Sequence, residues 1–199
     1  MSKTFREIMQ DRRSIYAIKG ESTISDEHII DIIEASVKHT PSAFHSQSAR
    51  VAVLFGENHK KLWGITMETL RKLVPAEHFE ATKEKINSFA AGYGTVLYFD
   101  DTAVTNGFAA QFELYKDNFP IWAQQANGML QFAIWCQLEA EGLGATLQHY
   151  NPLIDDEVKA TFGLPDSWKL IAQMPFGTPT AAPDEKQFVP LTERVKILR

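Results

Sequence analysis

The sequence holds a single cysteine, Cys136, so an internal disulfide or a cysteine-based zinc cage is impossible. Its six histidines never fall at H-x-x-x-H or H-E-x-x-H spacing, which removes the usual helical metal sites and gives no metal expectation. The G-x-G triplets at Gly92–Gly94 and Gly142–Gly144 lack the third glycine of a dinucleotide fingerprint, and there is no Walker loop. A G-x-S-x-G nucleophile elbow is also missing. Every apolar run is broken by Gln, Glu or Lys well short of the ~20 residues a membrane span needs. Positive charge is in deficit, 20 basic against 25 acidic residues, for a net charge of −5. That balance argues against broad binding to nucleic acid or anionic membrane, so any anion site must be a local cluster. The opening "MSKTFREIMQ" is too polar for a secretory signal, and the expected location is cytoplasmic.

What is present suits one domain spanning residues 1–199: 44% hydrophobic residues can build a real core, and 23% charged residues can cover it. Ser25 followed by Asp26 and Glu27 predicts a capped helix to about His39, with Ile29, Ile33 and Val37 on one face. Short β-branched runs predict strands at Ala49–Gly56, Gly94–Asp100, Ala145–Tyr150 and Trp168–Gly177. Helices are expected from about Glu57 to Val74 and near Asp155–Phe162. The segment from Pro120 to Gly142 predicts about 22 helical residues, roughly 33 Å long, buried between layers because its apolar residues cover more than one face. The tail from Ala181 ends in the strand-like "ERVKIL", which has to cover its own sheet or add to a partner's. The expected class is α+β, with a mostly antiparallel sheet of four or five strands flanked by helices.

Three stretches are candidates for chemistry. Arg12, Arg13 and Ser14 in "DRRSIYAI" offer two guanidinium forks and a hydroxyl, the equipment for gripping a phosphate monoester; the alternative is solvated surface charge. "TPSAFHSQSARV" sets Pro41, Ser42, Ala43, Phe44, His45 and Gln47 between a helix and a strand. Small hydroxyls and an amide beside apolar surface suit a flat heteroaromatic, or else a well-packed turn. Gln148, His149 and Tyr150 stand at a strand end, as ligand contacts or as structural residues. Lys186 in "PDEKQF" is by itself an ordinary tail lysine. Asp100–Asp101 and Asp155–Asp156 read as helix starts, and Cys136 as a buried, inert thiol.

In order along the chain, "RRSIYAI", "PSAFHSQSARV", "EGLGATLQHY" and a basic residue in the tail resemble the nitroreductase-like family of FMN flavoproteins. "PFGTPTAAPDEKQFVPLTERV" is similar to the ending of its short yeast and bacterial branch, linked with oxidative stress and fatty-acid signalling. The resemblance implies a homodimer with FMN at the subunit interface and a tail that completes the partner's sheet. It implies that Arg12, Arg13, Ser14 and Lys186, with Arg194 less directly, serve the FMN phosphate. Ser42 and Gln47 would touch the flavin held mainly by the other subunit, and Gln148–Tyr150 would meet the N5 edge of its ring. No side chain is assigned as nucleophile; the flavin carries the chemistry. The implied activity is NAD(P)H-dependent, ping-pong reduction of nitroaromatics or quinones. The alternatives are a flavin- or lipid-responsive regulator with incidental turnover, or a flavin-free protein. Three positions depart from the family pattern: Tyr16 replaces a cation near the flavin pyrimidine, His45 an asparagine, and Ser48–Ala49 a Pro-Trp pair. Lys85 or Asn87 is the expected substitute for the missing cation.

Overall fold

A computed structural model describes residues 3–199. The sheet is organised around β5 (Trp168–Pro179), which pairs on both of its edges. On one edge it runs antiparallel to β3 (Gly94–Asp101), which pairs in turn with β2 (Ala49–Phe55) at the open side. On the other edge it meets β1 (Ile18–Lys19) and β4 (Gly144–Ala145), again antiparallel. The expected α+β class and antiparallel sheet are therefore present.

Among the described residues eight α-helices surround the sheet: α1 (Phe5–Asp11), α2 (Asp26–His39), α3 (Gly56–Leu73), α4 (Phe79–Ala90), α5 (Thr102–Gln111), α6 (Phe119–Ala140), α7 (Asp155–Phe162) and α8 (Leu191–Arg194). Local chemistry sets their ends. The Ser25 hydroxyl accepts the His28 N–H at 3.2 Å to start α2, and Asp101 accepts the Ala103 N–H at 3.2 Å to start α5. Thr4 and Glu7 form a reciprocal capping box on α1. Side chains alternate across the strands, giving two cores. Val96, Tyr98, Met174 and Phe176 pack with Ile29 and Ile33 of α2 and Leu130, Ile134 and Leu138 of α6. Leu97, Phe99 and Leu170 pack on the other face with Leu62, Trp63, Ile86, Phe89 and Val158 of α3, α4 and α7.

One irregularity matters for the site. Tyr98 pairs with Ala172 but Phe99 pairs with Leu170, so Ile171 is an extra residue on β5. The bulge shifts the alternation by one: Leu170 faces the second core, whereas Ala172, Met174 and Phe176 face the first. Gln173 is thereby turned toward the α3–α4–α7 side, fully buried.

Several expectations are corrected. The strand expected at Ala145–Tyr150 is reduced to Gly144–Ala145 and a single bridge between Gln148 and Gln173. Pro175 is the cause: Thr146 N–H donates to its carbonyl at 3.2 Å, but proline has no N–H to return, and the ladder breaks there. "ERVKIL" forms no strand in the single chain; it begins in α8 and continues as exposed chain. The long helix has its expected length of 22 residues. It is buried along most of its length, with α1 packed over its C-terminal half through Phe5 on Phe132, while Ile121 and Met129 leave one flank of its N-terminal half bare. Val37 is likewise exposed on α2. α1, α4 and β1 were not expected.

His59 of α3 is buried in a closed hydrogen-bond chain. Its Nδ1 lies 2.8 Å from Thr95 Oγ1, its Nε2 lies 3.2 Å from the Ala90 carbonyl, and Trp63 Nε1–H donates to Thr95 Oγ1 at 3.0 Å. The carbonyl requires an Nε2–H donor, so Nδ1 accepts the Thr95 hydroxyl and the neutral ring satisfies every partner. Protonating Nδ1 would set two donors against the Thr95 oxygen and strand its hydrogen. Burial pushes the His59 pKa below its ordinary 6.5. The unfolded chain therefore takes up this proton first as pH falls. The contribution is complete above about pH 6.5 and declines below it, with a slope approaching about 1.4 kcal/mol per pH unit. Urea unfolding between pH 7.5 and 5 should show this loss, and His59→Leu should flatten it.

Candidate functional site

Past α1 the chain runs extended beside the strand region. The Arg12 N–H closes the helix on the Ile8 carbonyl at 2.8 Å, and the Ile15 N–H donates to the Ala145 carbonyl at 3.0 Å. A cleft of about 430 Å³ opens between residues 12–17 and the tail residues Ala181–Asp184. Arg12, Arg13, Ser14 and Tyr16 line it together. The Arg12 guanidinium stacks 4.3 Å above the Trp135 ring of α6, and its Nε is buried without a hydrogen-bond partner among the described residues. Burying such a donor unsatisfied is costly, so its lone presence here is informative. Lys186 comes to the same corner, donating its ammonium to the Gln10 carbonyl. Arg194 does not line the cleft; it is exposed in α8. Cys136 is buried next to this corner, where burial pushes its thiol pKa up and Arg12 opposes the shift.

The strand end joins the same neighbourhood. Tyr16 packs its ring 6.2 Å from Phe89, within the aromatic group that holds Trp63 and Tyr150. Burial, and then the nearby Tyr16, push the Tyr150 phenol up to about 12. Of the three backbone N–H groups expected to face a ligand, two are already engaged. Gln148 donates to the Gln173 carbonyl at 2.7 Å and Tyr150 to the Gln173 side-chain oxygen at 2.8 Å. The His149 N–H has no partner among the described residues, and the His149 side chain is exposed. Lys85 and Asn87 are exposed on α4, and no side-chain hydrogen bond or ion pair joins either to the cleft.

The third set stands apart. Pro41 is exposed at the start of a loop in which Phe44, His45 and Gln47 all adopt left-handed φ values of 56°, 53° and 50°. Non-glycine residues rarely do this, and such strain persists only where surroundings enforce it. Here the Ser42 hydroxyl accepts the Gln47 N–H at 2.9 Å, and Ala43 accepts the Ser46 N–H at 3.1 Å. Arg50 clamps the exit, donating to the Gln47 carbonyl at 2.6 Å and to Asp101 at 3.1 Å. Phe44 is pinned by rings of the α5–α6 hairpin: Phe112 at 4.8 Å, Phe119 at 5.3 Å and Trp122 at 5.9 Å. The cavity beside Ser42 and Gln47 is lined by Ala126 and Leu130 and by none of residues 12–17. From Ala126 to Trp135, beneath Arg12, is about 14 Å along α6. One chain thus unites the arginine, strand-end and tail candidates and leaves the loop outside. Sequence reasoning missed Arg50, which lies in the quoted loop stretch without an assigned role, and Gln173, which lies in no motif; both act only through neighbours.

The model of the Nitroreductase family matches residues 9–178. The chain belongs to the nitroreductase family. It is 37% identical over 190 residues to the Saccharomyces cerevisiae protein HBN1, named as a nitroreductase, covering 94% of this chain and 93% of that one. Nitroreductase FRM2 of the same yeast is 33% identical over 183 residues, 90% of each chain. Nitroreductase CinD from Lactococcus lactis, solved with chloramphenicol, superposes with a TM-score of 0.90 at 38% identity, covering 98% of this chain and all of that one. Membership makes this chain an oxidoreductase of the nitroreductase fold.

The strained loop gives a test. Gln47→Gly relieves a left-handed residue that costs about 1–2 kcal/mol in an L-amino acid and offsets part of the gain with chain entropy. The net expectation is a stabilisation of about 0.5–1 kcal/mol, read as a higher melting temperature.

Proposed function

We propose that this nitroreductase-family chain is an FMN-dependent oxidoreductase that takes electrons from NAD(P)H and passes them to nitroaromatics or quinones. The observation that carries the reading is the tail-capped cleft, with two arginines, a serine hydroxyl and a buried guanidinium nitrogen lacking a partner. That donor set fits a phosphate monoester: planar forks and a hydroxyl meet its oxygens, and the orphaned Arg12 Nε is a donor awaiting an acceptor. Bound FMN would supply the redox chemistry, accepting electrons from the nicotinamide donor and returning them to the oxidant in alternating, ping-pong half-reactions.

The chain's own residues then have limited tasks. Arg12, held over Trp135, and Arg13 with Ser14 grip the phosphate. Lys186 braces the end of α1 and adds positive charge at the same corner. His149 offers a backbone donor from the strand end, and the phenol of Tyr16 occupies the place where a cation would otherwise stand. None of Pro41, Ser42, Ala43, Phe44, His45 and Gln47 lines the cleft of their own chain, and we assign them to the cleft of a second copy. Three features support a homodimer. An apolar groove of about 430 Å³ runs between α1, α2 and α6, lined by Phe5, Ile8, Met129 and Ala133. A second groove of about 420 Å³ opens beside Ile30, Val37, Val51 and Val53 at the unpaired edge of β2. The tail exposes Phe188, Leu191, Ile197 and Leu198, apolar side chains suited to cover such a face.

Replacing Arg12 by Ala removes a charge-assisted contact of about 1.5–3 kcal/mol and should weaken FMN binding roughly ten- to a hundredfold. Equilibrium dialysis or flavin fluorescence measures this, and unchanged affinity excludes the phosphate role. NADH or NADPH should bleach the bound flavin anaerobically, and a nitroaromatic or benzoquinone should restore its colour. Bound flavin that neither nicotinamide reduces would favour the regulatory protein instead.

A further inference from the structure

Gln173 is fully buried on β5 and holds residues 148–151 through four hydrogen bonds. Its carbonyl accepts the Gln148 N–H at 2.7 Å, and its N–H donates to the Gln148 carbonyl at 2.9 Å. Its side-chain oxygen accepts the Tyr150 N–H at 2.8 Å, and its side-chain amide donates to Asn151 Oδ1 at 3.4 Å. A backbone N–H can only donate, so Tyr150 fixes which end of the glutamine amide faces it. The register that pairs Ala145 with Phe176 and Gln148 with Gln173 would set Tyr150 opposite Ile171. Ile171 is the bulge residue, and the Gln173 side chain takes the rung that its backbone does not.

The alternation of a strand says where the intervening donor points. Thr146 and Gln148 aim their N–H groups at β5, whereas the Ala145 carbonyl aims the other way and receives the Ile15 N–H. His149 shares the parity of Ala145. Its N–H therefore opens toward the edge along which residues 12–16 run.

We propose that Gln173 is a positioning residue for the flavin site, a proposal that rests on the reading above. By occupying the N–H groups of Gln148 and Tyr150, it leaves that of His149 as the single unspent donor of the three. It also aims that donor at the edge along which the chain runs on from Ser14, where it meets an acceptor on the cofactor ring. A buried glutamine on the central strand thus sets the polarity of a contact it never touches.

Amide hydrogen exchange of the full-length chain, followed residue by residue by NMR with and without FMN, tests this. Without FMN, Gln148 and Tyr150 should be protected and His149 should exchange quickly; FMN should slow His149 roughly tenfold, the factor that about 1.4 kcal/mol confers. Gln173→Met keeps the volume and removes the acceptor, so the Tyr150 amide should exchange roughly tenfold faster and FMN should bind roughly tenfold more weakly. Asn151→Ala, which removes only the longest of the four bonds, should keep FMN affinity within about twofold. If FMN slows the amides of Arg12–Ser14 but leaves His149 unchanged, the proposal is overturned and the flavin reading stands. Unchanged Tyr150 exchange and FMN affinity in Gln173→Met overturn it as well. If FMN slows neither segment, both fail. Should Gln173→Met not fold, the unmodified chain still decides through His149.

Discussion

Double-sided pairing of β5 is the constraint on which the architecture depends. Phe176 is opposed by Gly94 on one edge and by Ala145 on the other. This places segments remote in sequence, the arginine run after α1, the strand end after α6 and the tail after β5, around one line of backbone hydrogen bonds. The fit is close: a Cβ on Gly94 would sit 2.7 Å from the Phe176 ring, well inside contact distance. Both cores then lock the strand from above and below, so the corner where these segments meet inherits the rigidity of a strand covered on both faces.

The corner is polar and underused, whereas the loop from Pro41 to Gln47 is overdetermined. Left-handed backbone at Phe44, His45 and Gln47 is held by a serine hydroxyl, an arginine clamp and a box of aromatic rings. Strain of this kind is maintained where a surface must keep one shape. The two regions are complementary in that sense, one offering unspent donors and the other a preshaped face, and α6 holds them apart.

Much of this was legible in the sequence, for identifiable reasons. The β-branched runs at Ala49 and Gly94 report strands because both faces of β3 are covered. Pro120 and Gly142 bracket α6 because each satisfies the backbone at one end of a helix. The ordered set of short motifs pointed to the nitroreductase family, which the similarity to CinD and the yeast proteins shows. Other features were hidden. α4 reads as polar because Lys83, Glu84 and Lys85 mask the spacing of Phe79, Ile86 and Phe89. The strand expected through Tyr150 fails because of a proline on its neighbour, a fact no local window contains. Gln173 looks like an ordinary strand residue; its importance comes from the bulge two residues before it, which is a property of pairing.

The spacing along α6 has a consequence for loading. About 14 Å of helix separate the loop from the cleft of its own chain, so on the proposed reading a ligand that touches both surfaces would bridge two copies. Its retention is then coupled to self-association by mass action. Concentrated protein keeps such a ligand, while dilution releases ligand and partner together, so occupancy would follow the amount of protein as well as the amount of ligand.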